Sequence, residues 1–199
     1  MGRRSDHSRE ELQTLIVEST LALVKEHGAS NVTARQIAKA VGYTPGMLYS
    51  IFLNLQDIFQ HVNQVGLHTL YKLCEASQKN TEGPEDAIKA MGMAYLQFAA
   101  QHTHQFDLMF ARSLRDAPAS PSSLSNQIQV LFQLVEAQLR TLKPGATEAQ
   151  LQLGARALWS GVHGTAALRL SNQLYIDTPN ADQEIVDILV SSFVNQWCR

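Results

Sequence analysis

The chain has little of what staples a protein, carries it into a membrane or holds a metal. Its 199 residues include two cysteines, Cys74 and Cys198, too few for a disulfide framework, and no Cys/His spacing resembles a zinc site. No uninterrupted apolar run approaches the ~18 residues that cross a bilayer. The start, Met1-Gly2-Arg3-Arg4-Ser5-Asp6, runs into polar residues and not an apolar signal core. Asp6 also stands where a myristoylation signal wants Ser or Thr. The expectation is a soluble cytoplasmic protein without a membrane partner. Charge is scarce as well: 16 Lys+Arg against 18 Asp+Glu give a net charge of −2. Within residues 1–60, the basic Arg3, Arg4, Arg9, Lys25, Arg35 and Lys39 are matched by Asp6, Glu10, Glu11, Glu18, Glu26 and Asp57. Neither part of the chain is therefore the basic block that announces a nucleic-acid binder. Enzymatic signatures are missing too: Gly-x-Ser-x-Gly, a phosphate loop, His-Glu-x-x-His and a dinucleotide fingerprint. The carboxylate pairs Glu10-Glu11 and Glu85-Asp86 sit in first helical turns, where the helix dipole explains them. The chain reads as no enzyme, with no cofactor and no metal.

What it does have is apolar residues, 45% of the total, and helix punctuation. Ser8-x-x-Glu11, Thr33-x-x-Gln36 and Thr147-x-x-Gln150 are capping boxes, in which each side chain satisfies a free backbone N–H. Leu12, Leu15, Ile16, Ser19, Ala22 and Leu23 recur at a 3.6-residue period, and His27-Gly28 stops that helix. Gly42 closes a second, short helix, and Thr44-Pro45 opens a third. Asn54-x-x-Asp57 begins a fourth, to about Asn80. Pro84-Glu85-Asp86 begins a helical stretch from 87 to 114 with a bend at Gln101–His104. Ala117-Pro118-Ala119-Ser120-Pro121 breaks it, and Ser120-Pro121 caps a helix striped by Leu124, Ile128, Leu131, Leu134 or Val135, and Leu139. Lys143-Pro144-Gly145 stops that one, Thr147 caps a long helix to about Leu170, and Asn180-x-x-Gln183 caps the last. The total is nine helices, an all-α chain without repeats.

Three short helices in fewer than 50 residues, joined by tight turns, form a helix-turn-helix unit. Ala38 sits where a larger side chain would push the third helix away. Gly42 permits the turn, and Leu48 faces back into a core with Ile37, Val41 and Phe52. Thr44–Tyr49 is then the start of a recognition helix for a major groove, its N–H groups facing phosphate.

These residues carry a resemblance. Val32-Thr33-Ala34-Arg35-Gln36-Ile37-Ala38-Lys39-Ala40-Val41-Gly42-Tyr43-Thr44-Pro45-Gly46-Met47-Leu48-Tyr49-Ser50-Ile51-Phe52 resembles the DNA-binding signature of tetracycline-repressor (TetR) family regulators. The likeness is close over residues 8–60 and looser to the chain end. Trp159-Ser160-Gly161-Val162-His163-Gly164 is similar to the Trp…His-Gly mark of a regulatory-domain subgroup called WHG. The resemblance implies that Thr33 caps helix two and touches a phosphate, and that Arg35 reaches a base, such as guanine through a bidentate fork. It implies phosphate contacts for Thr44 and Tyr49, and a groove-facing position for Pro45, Gly46 and Met47. Arg3 and Arg4 would form an arm along the backbone or minor groove. Two departures stand out. Ile51 replaces a His or Tyr and Leu55 a Lys that usually touch the DNA backbone, so fewer phosphates are neutralised and the salt slope is shallower.

The resulting division is a helix-turn-helix domain over 1–53 and a helical regulatory and dimerisation domain over 54–199. Phe98, His102, Phe106, Met109, Phe110, Phe132, Trp159 and His163 are candidates to surround an apolar ligand cavity. His163, one turn from Trp159, reads equally as a hydrogen-bonded core histidine or a ligand contact. His102 and His104 lie two apart, which points them about 200° apart on a helix, and so read as surface or pocket lining. Dimer-interface candidates on the last two helices are Leu158, Gly161, Val162, Leu168, Ile185, Ile188, Leu189, Phe193 and Trp197. The functional expectation is a ligand-responsive regulator, a homodimeric repressor on a palindromic double-stranded DNA operator. A hydrophobic or weakly polar small-molecule effector would release it. A regulator without an effector, or a helical enzyme with a vestigial head, is the alternative.

Overall fold

The computed structural model describes residues 8–110, 123–176 and 178–199. Among them are nine α-helices and no strand: α1 Arg9–His27, α2 Ala34–Val41, α3 Pro45–Leu48, α4 Leu55–Ser77, α5 Pro84–Gln101, α6 Thr103–Phe110, α7 Ser123–Leu142, α8 Glu148–Leu170 and α9 Ala181–Trp197. Described residues within Met1–Gly66 and His102–Leu124 form one compact unit, and those within Leu67–Gln101 and Ser125–Arg199 form a second. The partition falls inside α4, at Gly66, and not at residue 53. The physical reason is that α4 and α6 help to bury the three short helices, which enclose too little apolar surface on their own.

The first unit is assembled by local chemistry. Ser8 and Glu11 cap α1 reciprocally, at 3.2 and 2.7 Å. Thr33 and Gln36 do the same for α2, at 3.3 and 2.8 Å. At the end of α2, Gly42 turns left-handed (φ 75°, ψ 24°), a conformation that costs glycine nothing. Tyr43 N–H then closes onto the Ala38 carbonyl at 2.9 Å. Leu12, Ile16, Ile37, Ala38, Leu48, Phe52, Ile58 and Val62 form the core, with Leu108 of α6 among them. The buried face of α1 is Leu12, Ile16, Val17, Thr20 and Val24. That departs from the predicted stripe, for Ala22 is exposed and Ser19 half-buried. Thr20 is tolerated inside because its hydroxyl donates to the Ile16 carbonyl at 2.7 Å. Asn54 and Asp57 exchange caps as the spacing suggests: Asn54 Oδ1 accepts from Asp57 N–H at 2.9 Å and Asp57 Oδ2 from Leu53 N–H at 2.8 Å.

The second unit packs α5 against α8 and α9. Thr147 and Gln150 cap α8 reciprocally. Asn180, by contrast, does not cap α9 with its side chain: it sits left-handed at φ 64°. Helix approach is closest at glycines. A Cβ on Gly161 would lie 2.6 Å from Leu189 Cδ2, and one on Gly92 3.1 Å from Val186 Cγ1. The predicted bend at Gln101–His104 is the step from α5 to α6 at His102. The predicted break at 117–121 and its Ser120-Pro121 cap lie outside the described residues.

Candidate functional site

The candidate nucleic-acid face lies on α2 and α3. Ile37 and Ala38 point inward, 0% and 1% exposed, as does Leu48 at 0%, so the opposite sides of these short helices are left to solvent. Thr33, Arg35, Thr44, Pro45, Gly46 and Tyr49 are all exposed, and Met47 is half-buried against the core. Arg35 and Lys39 lie one turn apart and so share a face of α2. Among the described residues neither is held in an ion pair. Thr33 is the N-cap of α2. Thr44 is the N-cap of α3 by position only, making no side-chain capping bond, so its hydroxyl is not spent on the helix. Ser50 is spent, since its hydroxyl donates to the Met47 carbonyl at 2.7 Å. Ile51 and Leu55, the two departures from the signature, are half-buried and pack on the head core, so they serve folding where a cation would have served DNA. Lys39 and Leu53, the latter 83% exposed, widen the face beyond the residues chosen from sequence. Arg3 and Arg4 lie outside the described residues.

α6 ties onto α1 in the same unit. His104 Nδ1 is 3.0 Å from the Lys25 carbonyl and its ring lies over Gly28, which occupies one of the orphan acceptors at the end of α1. His102 is half-buried beside it, and burial, with Lys25 nearby, lowers its pKa below the usual histidine value. Phe106 stacks at a tilt against Phe110, 4.9 Å between centroids. His102, Phe106, Met109 and Phe110 therefore belong to the head unit.

The second unit contains a cavity of about 60 Å³. Cys74 of α4, Met91 and Tyr95 of α5, and Phe132 and Val135 of α7 line it, and Leu158, Trp159 and Val162 of α8 complete the wall. Of the sequence candidates, Phe132 and Trp159 are brought together here, edge to face at 5.7 Å. Phe98 is in this unit but wholly buried and not part of the wall. His163 stacks on Trp159 at 5.1 Å, and its Nδ1 is 2.9 Å from the Tyr95 hydroxyl. Trp159, a donor only, hydrogen-bonds the same hydroxyl. Burial raises the Tyr95 pKa, and the Trp159 bond opposes that rise only in part. Burial likewise pushes the Cys74 thiol up to about 12, where it is inert at neutral pH. Tyr95 and Met91 were missed because nothing separates them from ordinary core positions of an apolar helix until α7 and α8 are placed beside them.

The interface candidates divide. Leu158 and Val162, 3% and 7% exposed, are cavity wall and leave the interface set, because their side chains are already covered within one chain. Gly161 is closed by Leu189. Phe193 and Trp197 stack on each other at 5.6 Å over Gly154, and Trp197 Nε1 donates to the Leu139 carbonyl at 3.3 Å. Ile185 is half-buried, whereas Leu168 and Ile188 are open, 42% and 68% exposed. Leu153, 72% exposed, was not anticipated. It joins Ala157, Ser160, Gly164 and Leu168 at spacings of three and four, one face of α8.

Residues 16–62 match the family described as bacterial regulatory proteins, tetR family, and residues 88–193 match the tetracyclin repressor-like C-terminal domain. Among curated relatives, the nucleoid occlusion factor SlmA of Haemophilus ducreyi is 29% identical over 96 residues, 48% of each chain. That of Glaesserella parasuis is 32% identical over 96 residues, 48% of this chain and 47% of the relative. The chain thus spans about half the length of the curated relatives it matches. A protein of unknown function from Rhodococcus sp. RHA1 superposes with a TM-score of 0.79, 17% identity and full coverage of both chains. A putative transcriptional regulator from Pseudomonas aeruginosa PAO1 gives 0.74 at 18% identity, over 97% of this chain and 95% of that one. At such identities the likeness is one of fold. The match over residues 88–193 by itself takes in more than half of the sequence, and the chain belongs to the tetR family of bacterial regulatory proteins.

Proposed function

We propose that this DNA-binding transcriptional regulator is a cytoplasmic homodimeric repressor of a palindromic operator, released by a small hydrophobic or weakly polar molecule. The observation that carries the effector reading is the cavity: side chains that fill the core elsewhere leave about 60 Å³ between α5, α7 and α8. A regulator governed by abundance alone has no need of it. On the DNA side, Thr33, Arg35, Thr44 and Tyr49 stand exposed on helices whose inner faces build the core, as contacts with phosphate and bases require. Thr33, Thr44 and Tyr49 position the head on the backbone and Arg35 reads a base. Pro45, Gly46 and Met47 let the helix approach the groove floor closely. Arg3 and Arg4 extend the footprint. Dimerisation uses the open stripe of α8 with Ile188 of α9, and two heads then meet successive major-groove faces about 34 Å apart. Among the described residues no helix is long and apolar enough to cross a membrane.

The switch requires only that the effector bind the released state more tightly than the DNA-competent one. A coupling of ~1–3 kcal/mol changes operator affinity roughly 5–150-fold. α4, which contributes to both units, is the covalent route for it. The test is a salt-series titration with DNA from upstream of the protein's own gene, followed by genome-wide site selection. Sequence-selective binding that Arg35→Ala with Tyr49→Ala abolishes supports the repressor reading. Binding no better than to random DNA in both assays rejects it.

A further inference from the structure

The cavity wall contains groups able to hydrogen-bond, and the protein uses each of them itself. The Tyr95 hydroxyl is engaged by His163 Nδ1 at 2.9 Å and by the Trp159 N–H. The Cys74 thiol points at the Met91 carbonyl, 3.8 Å away. Arg156, the cation near this wall, holds its guanidinium 4.2 Å over the Phe132 ring and pairs with Glu136. Consequently, among the described residues, no polar atom faces the interior. The space is partly open to solvent, and an apolar wall of this kind holds water weakly and accepts apolar molecules. Each water needs about 10–15 Å³ of such space and occupies ~30 Å³ in the liquid. The cavity of about 60 Å³ therefore corresponds to roughly four to six waters, or ~120–180 Å³ of molecular volume. That is the size of one small ring.

We infer that the cavity is a site for an uncharged single-ring hydrocarbon, and that it discriminates against hydroxylated and carboxylated molecules of the same shape. This rests on the effector-cavity reading and narrows it. A hydroxyl taken into this wall finds no partner, because Tyr95, Trp159 and Cys74 are already satisfied. A carboxylate finds no cation among the described residues of the wall. Methyl, hydroxyl and carboxylate on one benzene ring therefore separate by chemistry at nearly constant shape.

The probes are toluene, phenol and benzoate. Full-length protein carrying Trp197→Phe leaves Trp159 as the sole tryptophan, and its emission reports occupancy of the wall it forms. Thermal midpoints of the unmodified protein give a second readout that does not depend on fluorescence. Toluene is expected to saturate both signals. Phenol should bind roughly ten- to a hundredfold more weakly, the loss for burying an unpaired hydroxyl, and benzoate not at all. Val135→Phe fills the space and should abolish toluene binding without lowering the midpoint; Leu131→Phe fills it from the same helix should the first variant misfold. Phenol or benzoate binding as tightly as toluene overturns the inference, as does the absence of any binding by a protein that still binds its operator. Toluene that binds without changing operator affinity supports this site and instead rejects the switch.

Discussion

The two units of this protein place function on opposite sides of their cores. In the head, the residues proposed to meet DNA and those that hold the fold alternate on the same short helices and barely overlap: Arg35, Thr44 and Tyr49 are exposed, Ile37, Ala38 and Leu48 buried. In the C-terminal unit, Met91, Tyr95, Leu158 and Val162 are at once core and binding wall. On the proposed function, specificity for DNA can drift at the surface without touching stability, whereas a change of effector is also a change of packing. The difference follows from what each partner is. A duplex is large and polar and must be met from outside; a small apolar molecule is held only where water is excluded.

The largest expected effect breaks the comparison at the level of packing. Leu48 is 0% exposed in a filled core, so Leu48→Ala should cost about 2–5 kcal/mol and abolish operator binding with it. Leu131 lines the cavity and lacks packing partners on that side. Leu131→Ala should therefore lose less, below about 2 kcal/mol, and leave DNA binding intact. Urea unfolding of both variants decides the matter, and equal losses would mean that the cavity closes in solution. Next in size is Tyr95→Phe. It removes the hydroxyl shared by Trp159 and His163 and should cost about 1–3 kcal/mol. Its operator affinity in the absence of effector should be unchanged. A third variant sharpens the other side. Arg35→Ala with Tyr49→Ala alters only exposed residues, so stability should stay within about ±0.5 kcal/mol. Operator affinity should fall about tenfold or more, and a shallower salt slope would assign part of that loss to phosphate.

The same division explains how far the sequence could be read. Caps, turns and the helix-turn-helix are set by neighbours within about five residues, and Ser8/Glu11, Thr33/Gln36, Gly42 and Thr147/Gln150 all act where the spacing places them. Most of the nine helices among the described residues follow from that punctuation. The cavity depends on contacts such as Tyr95 with His163, 68 residues apart, which periodicity does not encode. Periodicity accordingly offers His102, Phe106, Met109 and Phe110 as pocket lining, whereas α6 packs in the head unit through Leu108 and His104. Leu158 and Val162 were assigned to the dimer for a related reason. A helix with two apolar faces shows from its sequence only that both need covering, and here the inner face holds those two residues and the outer one Leu153 and Leu168.

The smallest effect concerns the two thiols and tests how tightly the cavity wall is closed. Cys74 is buried in that wall and Cys198 is exposed. Burial pushes the Cys74 thiol from 9.0 up to about 12, so its thiolate is scarce at neutral pH on top of being inaccessible. A maleimide reagent should add once per native chain, at Cys198, and twice only after unfolding, with no measurable change in stability from the first addition. The thiol also fixes a sign. Its neutral form is favoured in the folded state, so between 9.0 and about 12 the native protein binds more protons than the unfolded one, and stability falls as pH rises through that window. Cys74→Ala should flatten that alkaline slope. Labelling of Cys74 in the native protein at a rate near that of Cys198 would show the wall opening often, and with it a route by which a ligand reaches the interior.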